Sequence, residues 1–180
     1  NDPVGQLVQC RRALQADGLL LAVFFGGQTL AELRAAVGQA EVSVSGGLSP
    51  RIVPMGEIRD LGGLLQRAGL ALPVADSVKK TVSYGAPLAL TRDLRAMGEG
   101  NALAQRSGQP LSRAMLNSMV TIYRDAFPDV DDRVKATFEM IFLSGWAPDA
   151  SQQKPLQPGS AQSRLAEALG TLEKNPETEK

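Results

Sequence analysis

The chain has 180 residues, of which 43% are apolar, enough for one domain with a real core. Nineteen Lys and Arg balance nineteen Asp and Glu, so no net field recruits nucleic acid or an anionic membrane surface. One cysteine and no histidine exclude an internal disulfide, a thiolate or histidine-ligated zinc site and any Ser-His-Asp triad, leaving acid-base chemistry to Asp, Glu, Tyr or Lys.

In chain order, Val4, Leu7, Val8, Ala13 and Leu14 recur at helical spacing, with Gln6, Gln9, Arg11 and Arg12 on the other face and Gly18 as a stop. Cys10 falls near this apolar stripe and is expected to be a small core residue. Residues 19–25 form an apolar run bounded by Gly18 and Gly26-Gly27. The run is too short for a buried helix and predicts a strand covered on both faces, as in parallel sheets. A parallel strand needs a parallel neighbour and a crossover helix, and no strand precedes the first helix. The opening therefore reads as an α/β domain entered halfway. No apolar run is long enough to cross a bilayer as a helix.

Thr29 is placed to cap a helix over residues 29–36, with Glu32 completing a capping box and the helix ending before Gly38. Residues 39–54, rich in Ser, Gly and Pro, predict an ordered connector near a site. Helical periodicity returns over residues 55–68 through Ile58, Leu61, Leu64 and Leu65, with Gly69 at a left-handed C-cap. Residues 70–84 read as extended, Val78, Val82 and Tyr84 alternating with polar neighbours. Two helices over residues 88–103 and 112–127, joined by a polar turn at 105–110, predict a helical hairpin. Residues 133–146 predict a long strand: Val134, Ala136, Phe138, Met140 and Phe142 share one face, and Lys135, Thr137 and Glu139 the other. Ile141 and Leu143 suggest that its end is buried on both sides. Beyond Ala147 the chain turns Pro-rich, with a short amphipathic piece near residues 164–169 and a charged, disordered end at 173–180.

This order of elements is similar to the C-terminal half of a class I S-adenosylmethionine-dependent methyltransferase. The stretches NDPVGQLVQCRRALQADG, GGQTLAELR, SPRIVPMGEIRDLGGLLQRAG, RDLRAMGEGNAL and FLSGWAPDASQQKPLQPGSA resemble, more specifically, the methyltransferase-like mitochondrial complex I assembly factors that hydroxylate an arginine, and their bacterial homologues. The resemblance covers nearly the whole chain. It implies an α/β fold, the C-terminal part of a class I methyltransferase (Rossmann-like) fold with a helical insertion before the last strand. Residues 19–25 would be the fifth strand, 72–84 the sixth and 133–146 the seventh, inserted between them. The implied organisation is a partial core at 1–84, a helical insertion serving as substrate lid at 85–128, the last antiparallel strand at 129–148 and a tail at 149–180.

The resemblance further implies S-adenosylmethionine as cofactor and a protein substrate, with arginine hydroxylation during respiratory complex I assembly. Alternatives are the similar malonyl-carrier-protein methyltransferase of biotin synthesis, acting on a carrier-bound substrate, and a non-catalytic docking module. The tail from Ser151 favours the assembly-factor branch. The implied compartment is the cytoplasm of a bacterium or the mitochondrial matrix of a eukaryote. The family's Gly-rich turn after the first strand, and the acidic residue ending the second, have no counterpart here. The chain alone is therefore expected not to hold the cofactor, and the missing N-terminal half of its domain is the expected partner.

Candidate site residues follow from the same resemblance. Asn1 and Asp2 would follow the fourth strand and border the cofactor, or serve only as an N-cap. Gly26, Gly27 and Gln28 would leave the fifth strand at the substrate pocket, or form a helix-entry turn. Arg92 and Arg95 could clamp a carboxylate or face a protein substrate beside Glu99 and Asn101, or lie on a solvated helix face. Tyr84, Tyr123 and Trp146 read better as core residues. Asp129, Asp131 and Asp132 lack the glycine and distal glutamate of a calcium loop and read as a solvated turn. Met97, Met115, Met119 and Met140 are either an adaptable binding surface or core filling.

Overall fold

A computed structural model describes residues 2–153 and 169–170. Asn1 and the tail segments at 154–168 and 171–180 lie outside the described residues, so the expectations made for them have no structural counterpart here. The chain divides into two units, Asn1–Pro148 and Asp149–Lys180. In the second, the Asp149 carboxylate accepts from the Ser151 amide at 2.9 Å and its hydroxyl at 2.6 Å. Those bonds hold its carboxyl below the usual carboxylate range.

The first unit contains α1 (Pro3–Ala13), β1 (Leu19–Phe25), α2 (Ala31–Ser45), α3 (Ile58–Arg67), β2 (Ala71–Tyr84), α4 (Pro87–Ala96), α5 (Arg113–Ala126) and β3 (Val134–Trp146). The strands form one sheet in the order β1-β3-β2, with β3 antiparallel to both neighbours. The last strand in sequence thus lies between the two earlier ones, as the methyltransferase resemblance implies. Pairing runs from Leu19 opposite Trp146 to Phe25 opposite Met140 on one side, and from Val78 opposite Met140 to Tyr84 opposite Val134 on the other.

Two hydrophobic clusters sit on opposite faces of β3. Val134, Ala136 and Phe138, all even-numbered, pack with Leu33, Val37 and Ala40 of α2, Leu90 and Leu94 of α4, and Met115, Met119 and Tyr123 of α5. Ile141 and Leu143, both odd-numbered, pack with Leu65 of α3 and with Leu70, and Leu7 and Val8 of α1 lean on that cluster. Successive strand side chains alternate between faces, so the change of parity moves the buried face of β3 to the other side.

Several expectations are corrected. Thr29 caps no helix: α2 begins at Ala31, and its N-cap Leu30 adopts a left-handed φ of 56° with no side-chain cap. The Thr29 hydroxyl instead donates to the Glu139 carbonyl at 3.0 Å and accepts from the Glu139 amide at 2.8 Å. Glu32 makes no capping box either, its carboxylate accepting from the Thr137 amide and hydroxyl on β3. Gly38 does not end the helix, because tertiary packing of Val37, Ala40 and Glu41 carries α2 two turns further, to a left-handed Gly46. The connector is correspondingly shorter. Helix α4 stops at Ala96 rather than continuing to 103, with Gly98 at φ 82° completing the exit.

Cys10 is exposed, since only Leu7 and Val8 of α1 reach the second cluster. β1 is covered less than expected. Leu20 and Ala22 face the second cluster, whereas Leu21 (71% exposed) and Val23 (58%) on the opposite face are open. Gly69 does take the left-handed C-cap position after α3, at φ 73°.

Candidate functional site

A cavity of about 580 Å³ opens at the carboxyl end of β1, where open α/β sheets commonly bind ligands. Phe138 and Met140 of β3 form its floor, and Val23 and Phe25 of β1 one side. Phe25 and Phe138 are tilted against each other with ring centroids 5.6 Å apart. Leu30 and Leu33 at the start of α2, with Leu94 of α4, form the back. Ile52, Val53 and Met55 close one lip, and Glu99, Gly100, Asn101 and Ala102 the other.

The turn from β1 into α2 is sewn to β3 by backbone amides. Gly26 donates to the Glu139 carbonyl and Gly27 to the Gly56 carbonyl, both at 2.9 Å, while Leu30 donates to the Thr137 carbonyl at 2.8 Å. The Gln28 amide donates to the Glu139 carboxylate at 2.9 Å. Neither glycine leaves room for a side chain. A Cβ on Gly26 would stand 2.6 Å from Ile141 Cγ1 and 2.9 Å from the Gly56 oxygen, and one on Gly27 would meet the Glu139 carboxylate. These three residues shape the wall from behind. Their amides are committed to protein acceptors, and none of the three lines the cavity.

The two lips are tied to each other and to α2. Glu41, only 4% exposed, accepts from the Ser49 amide and Arg51 Nε, each at 2.9 Å, and from the Ser49 hydroxyl. Arg51 also donates to the Gln109 carbonyl at 3.3 Å. Burial of Glu41 pushes its carboxyl up, but the hydrogen bonds from Ser49 and Arg51 together outweigh it and leave the group below the usual carboxylate range. Asn101 Nδ2 donates to the Pro50 carbonyl at 2.8 Å, bridging the lips directly, and Asn101 Oδ1 accepts from the Leu103 amide at 3.0 Å.

Of the residues singled out from sequence, the structure brings Glu99 and Asn101 to the cavity. Arg92 and Arg95 are exposed on α4 and do not line it. Asp2 caps α1, accepting from the Gly5 amide at 2.8 Å, and is also absent from the wall. Met140 lines the cavity, Met115 and Met119 are buried in the first cluster, and Met97 is exposed. Ile52 and Val53 were legible only as part of a connector expected near a site, and Met55, expected to open the next helix, instead precedes α3, which begins at Ile58. Phe25 and Phe138 carried no signal beyond apolar alternation.

The tyrosines are structural. Tyr123 is fully buried and its hydroxyl donates to the Lys135 carbonyl at 2.7 Å, burial driving its pKa far above the ordinary phenol value. Tyr84 is raised by burial and by Asp93. Neither ionises near neutral pH to act as a base. Asp131 and Asp132 take left-handed φ angles of 53° and 55° in an exposed turn, and Asp132 pairs with Arg124 at 3.6 Å. Among the described residues, no group of three His, Cys, Asp or Glu is arranged to hold a metal ion.

No family model matches the chain. It is 39% identical over 172 residues to the mitochondrial arginine-hydroxylase NDUFAF5 of Dictyostelium discoideum, covering 95% of this chain and 39% of that protein. The human arginine-hydroxylase NDUFAF5 is 36% identical over 172 residues, covering 96% of this chain and 49% of that protein. A malonyl-[acyl-carrier protein] O-methyltransferase of Laribacter hongkongensis is 33% identical over 159 residues, with coverages of 88% and 51%. The chain spans about half the length, or less, of these curated relatives.

Proposed function

Since the chain belongs to the class I methyltransferase-like family of these relatives, we propose that it is the substrate-facing portion of an enzyme of the arginine-hydroxylase branch. Its substrate is an arginine of a protein partner, modified during assembly of respiratory complex I. One observation carries this reading: similarity to the arginine hydroxylases extends over 95–96% of the chain, and so over most of the elements that build the cavity. The site of action is that cavity, in the mitochondrial matrix of a eukaryote or the cytoplasm of a bacterium. No helix among the described residues is long and apolar enough to cross a membrane.

S-adenosylmethionine is the cofactor on this reading, but the described residues do not fit it. The amides of Gly26, Gly27 and Gln28 are all used within the protein, and Asp2 is used by Gly5. The cofactor's nucleoside and carboxylate are therefore assigned to a portion of the domain beyond this chain, which would also pair with the open edge of β1.

The malonyl-carrier reading is disfavoured by the position of Arg92 and Arg95, which stand outside the cavity where a carboxylate would need them. The test is mass spectrometry of complex I subunits and of malonyl carrier protein from cells with and without the encoding gene. Disappearance of one oxygen from a subunit arginine supports the proposal. Disappearance of a methyl ester from the carrier overturns it in favour of methyl transfer, and no change in either points to a docking module.

A further inference from the structure

Among the described residues, the cavity lining includes three polar ones, Thr29, Glu99 and Asn101, of which only Glu99 is charged. Two of the three are already spoken for. The Thr29 hydroxyl is engaged on both sides by Glu139 backbone, and the Asn101 amide spans Pro50 and Leu103. Glu99 has no ion pair and no side-chain hydrogen bond among the described residues. Its own amide is held by the Leu94 carbonyl at 2.9 Å, which fixes the backbone that presents the carboxylate. Among the described residues no basic side chain lines the cavity: Arg51, the nearest in sequence to the opposite lip, is paired to Glu41.

We propose that Glu99 is the specificity-determining residue of this site, selecting a cationic over a neutral or anionic substrate side chain. The inference rests on reading the cavity as a substrate site. Glu99 is exposed to solvent, which screens its field, but an unpaired carboxylate beside the largely apolar lining still attracts a cation and disfavours a carboxylate. A guanidinium group answers both features. Its planar fork matches a carboxylate, its face stacks on aromatic rings such as Phe25 and Phe138, and its aliphatic stem covers Leu94 and Met55. Asn101 acts differently, as a positioning residue that holds the Glu99 segment against the Pro50 lip.

The test is methyl-detected NMR titration of the full 180-residue chain with three probes: N-acetyl-arginine methylamide, its neutral isostere N-acetyl-citrulline methylamide, and N-acetyl-glutamate methylamide. Met55 and Met140 methyls report the cavity, and Leu65 and Ile141, in the other cluster, report an intact fold. The arginine probe is expected to bind roughly threefold tighter than citrulline, with glutamate weakest. Glu99→Gln should erase the arginine preference and Glu99→Lys should reverse it, each with the fold reporters unchanged. Equal binding of arginine and citrulline by the native chain, or an arginine preference that survives Glu99→Gln, overturns the role of Glu99 while leaving a binding cavity in place. Failure of every probe to move Met55 or Met140 in a folded chain overturns the cavity as a substrate site and this inference with it.

Discussion

The two ends of β3 are buried on opposite faces, and the offset between them makes the cavity. From Val134 to Phe138 the even-numbered side chains lie under α2, α4 and α5, whereas at Ile141 and Leu143 the odd-numbered ones lie under α1 and α3. The first helical layer stops at Phe138. Past that point the even face continues uncovered, first as the cavity floor at Met140 and then as open surface at Phe142, Val23 and Leu21. Directly paired residues of neighbouring strands share a face, and Val23 pairs with Phe142 and Leu21 with Ser144, so the open apolar area is one continuous patch of sheet. A site arises here because one layer ends before the sheet does.

Truncating each layer separately is the largest way to break this comparison. Met119→Ala in the first cluster and Leu65→Ala in the second, at 1% and 0% exposure, should each cost about 2–5 kcal/mol in denaturant unfolding. Hydrogen exchange should then accelerate in α5 for the former and in α3 for the latter. Identical exchange patterns would show that the two clusters open as one.

Next comes the turn that anchors the cavity. Gly26→Ala would drive a Cβ against Ile141 and the backbone oxygen of Gly56, and is expected to cost about 1–3 kcal/mol. An unchanged unfolding midpoint would mean that the loop carrying Gly56 yields without resistance.

Glu41 supplies a smaller, pH-dependent effect on the first layer alone. Its folded pKa lies below the usual carboxylate value, so its contribution is present at neutral pH, above the unfolded pKa, and is lost as the pH falls through the folded pKa. Unfolding midpoints of Glu41→Gln should therefore lie below those of the native chain at neutral pH and converge with them in acid. Parallel curves would remove Glu41 as the titrating group.

The smallest expected change in stability sharpens the contrast from the open side. Val23→Lys, at a 58% exposed position on an edge strand, should alter stability by no more than about 0.5 kcal/mol while suppressing self-association in sedimentation velocity. If the native chain is monomeric at high concentration, the open face does not drive association.

Much of the fold was legible because short-range patterns agree with their tertiary use. The alternation of residues 134–146 and the left-handed Gly69 appear as read, and residues 19–25 form the expected strand, though one covered on a single face. The resemblance to methyltransferases supplied the strand order, since the sequence carries no signal that β3 inserts between β1 and β2. Errors gathered where a residue had both a local and a distant partner. Thr29 and Glu32 form an apparent capping box, yet each finds backbone amides on β3, more than a hundred residues away in sequence. Gly38 and the Ser-rich segment after it look like a stop. Helix α2 continues because Ala40 and Glu41 are buried against neighbours that no local window contains.

At the site, Glu99 and Asn101 were singled out from sequence together with Arg92 and Arg95, all four lying on α4 or just after it. The sequence by itself determined the elements, the family and which polar residues lie near one another along the chain. Only the tertiary structure decided which of them share a wall. That depends on the helical phase at which α4 ends, on the Asn101 to Pro50 bridge between two loops, and on how far the first helical layer extends along β3. All three are set by packing between segments distant in sequence, where local propensity has no purchase.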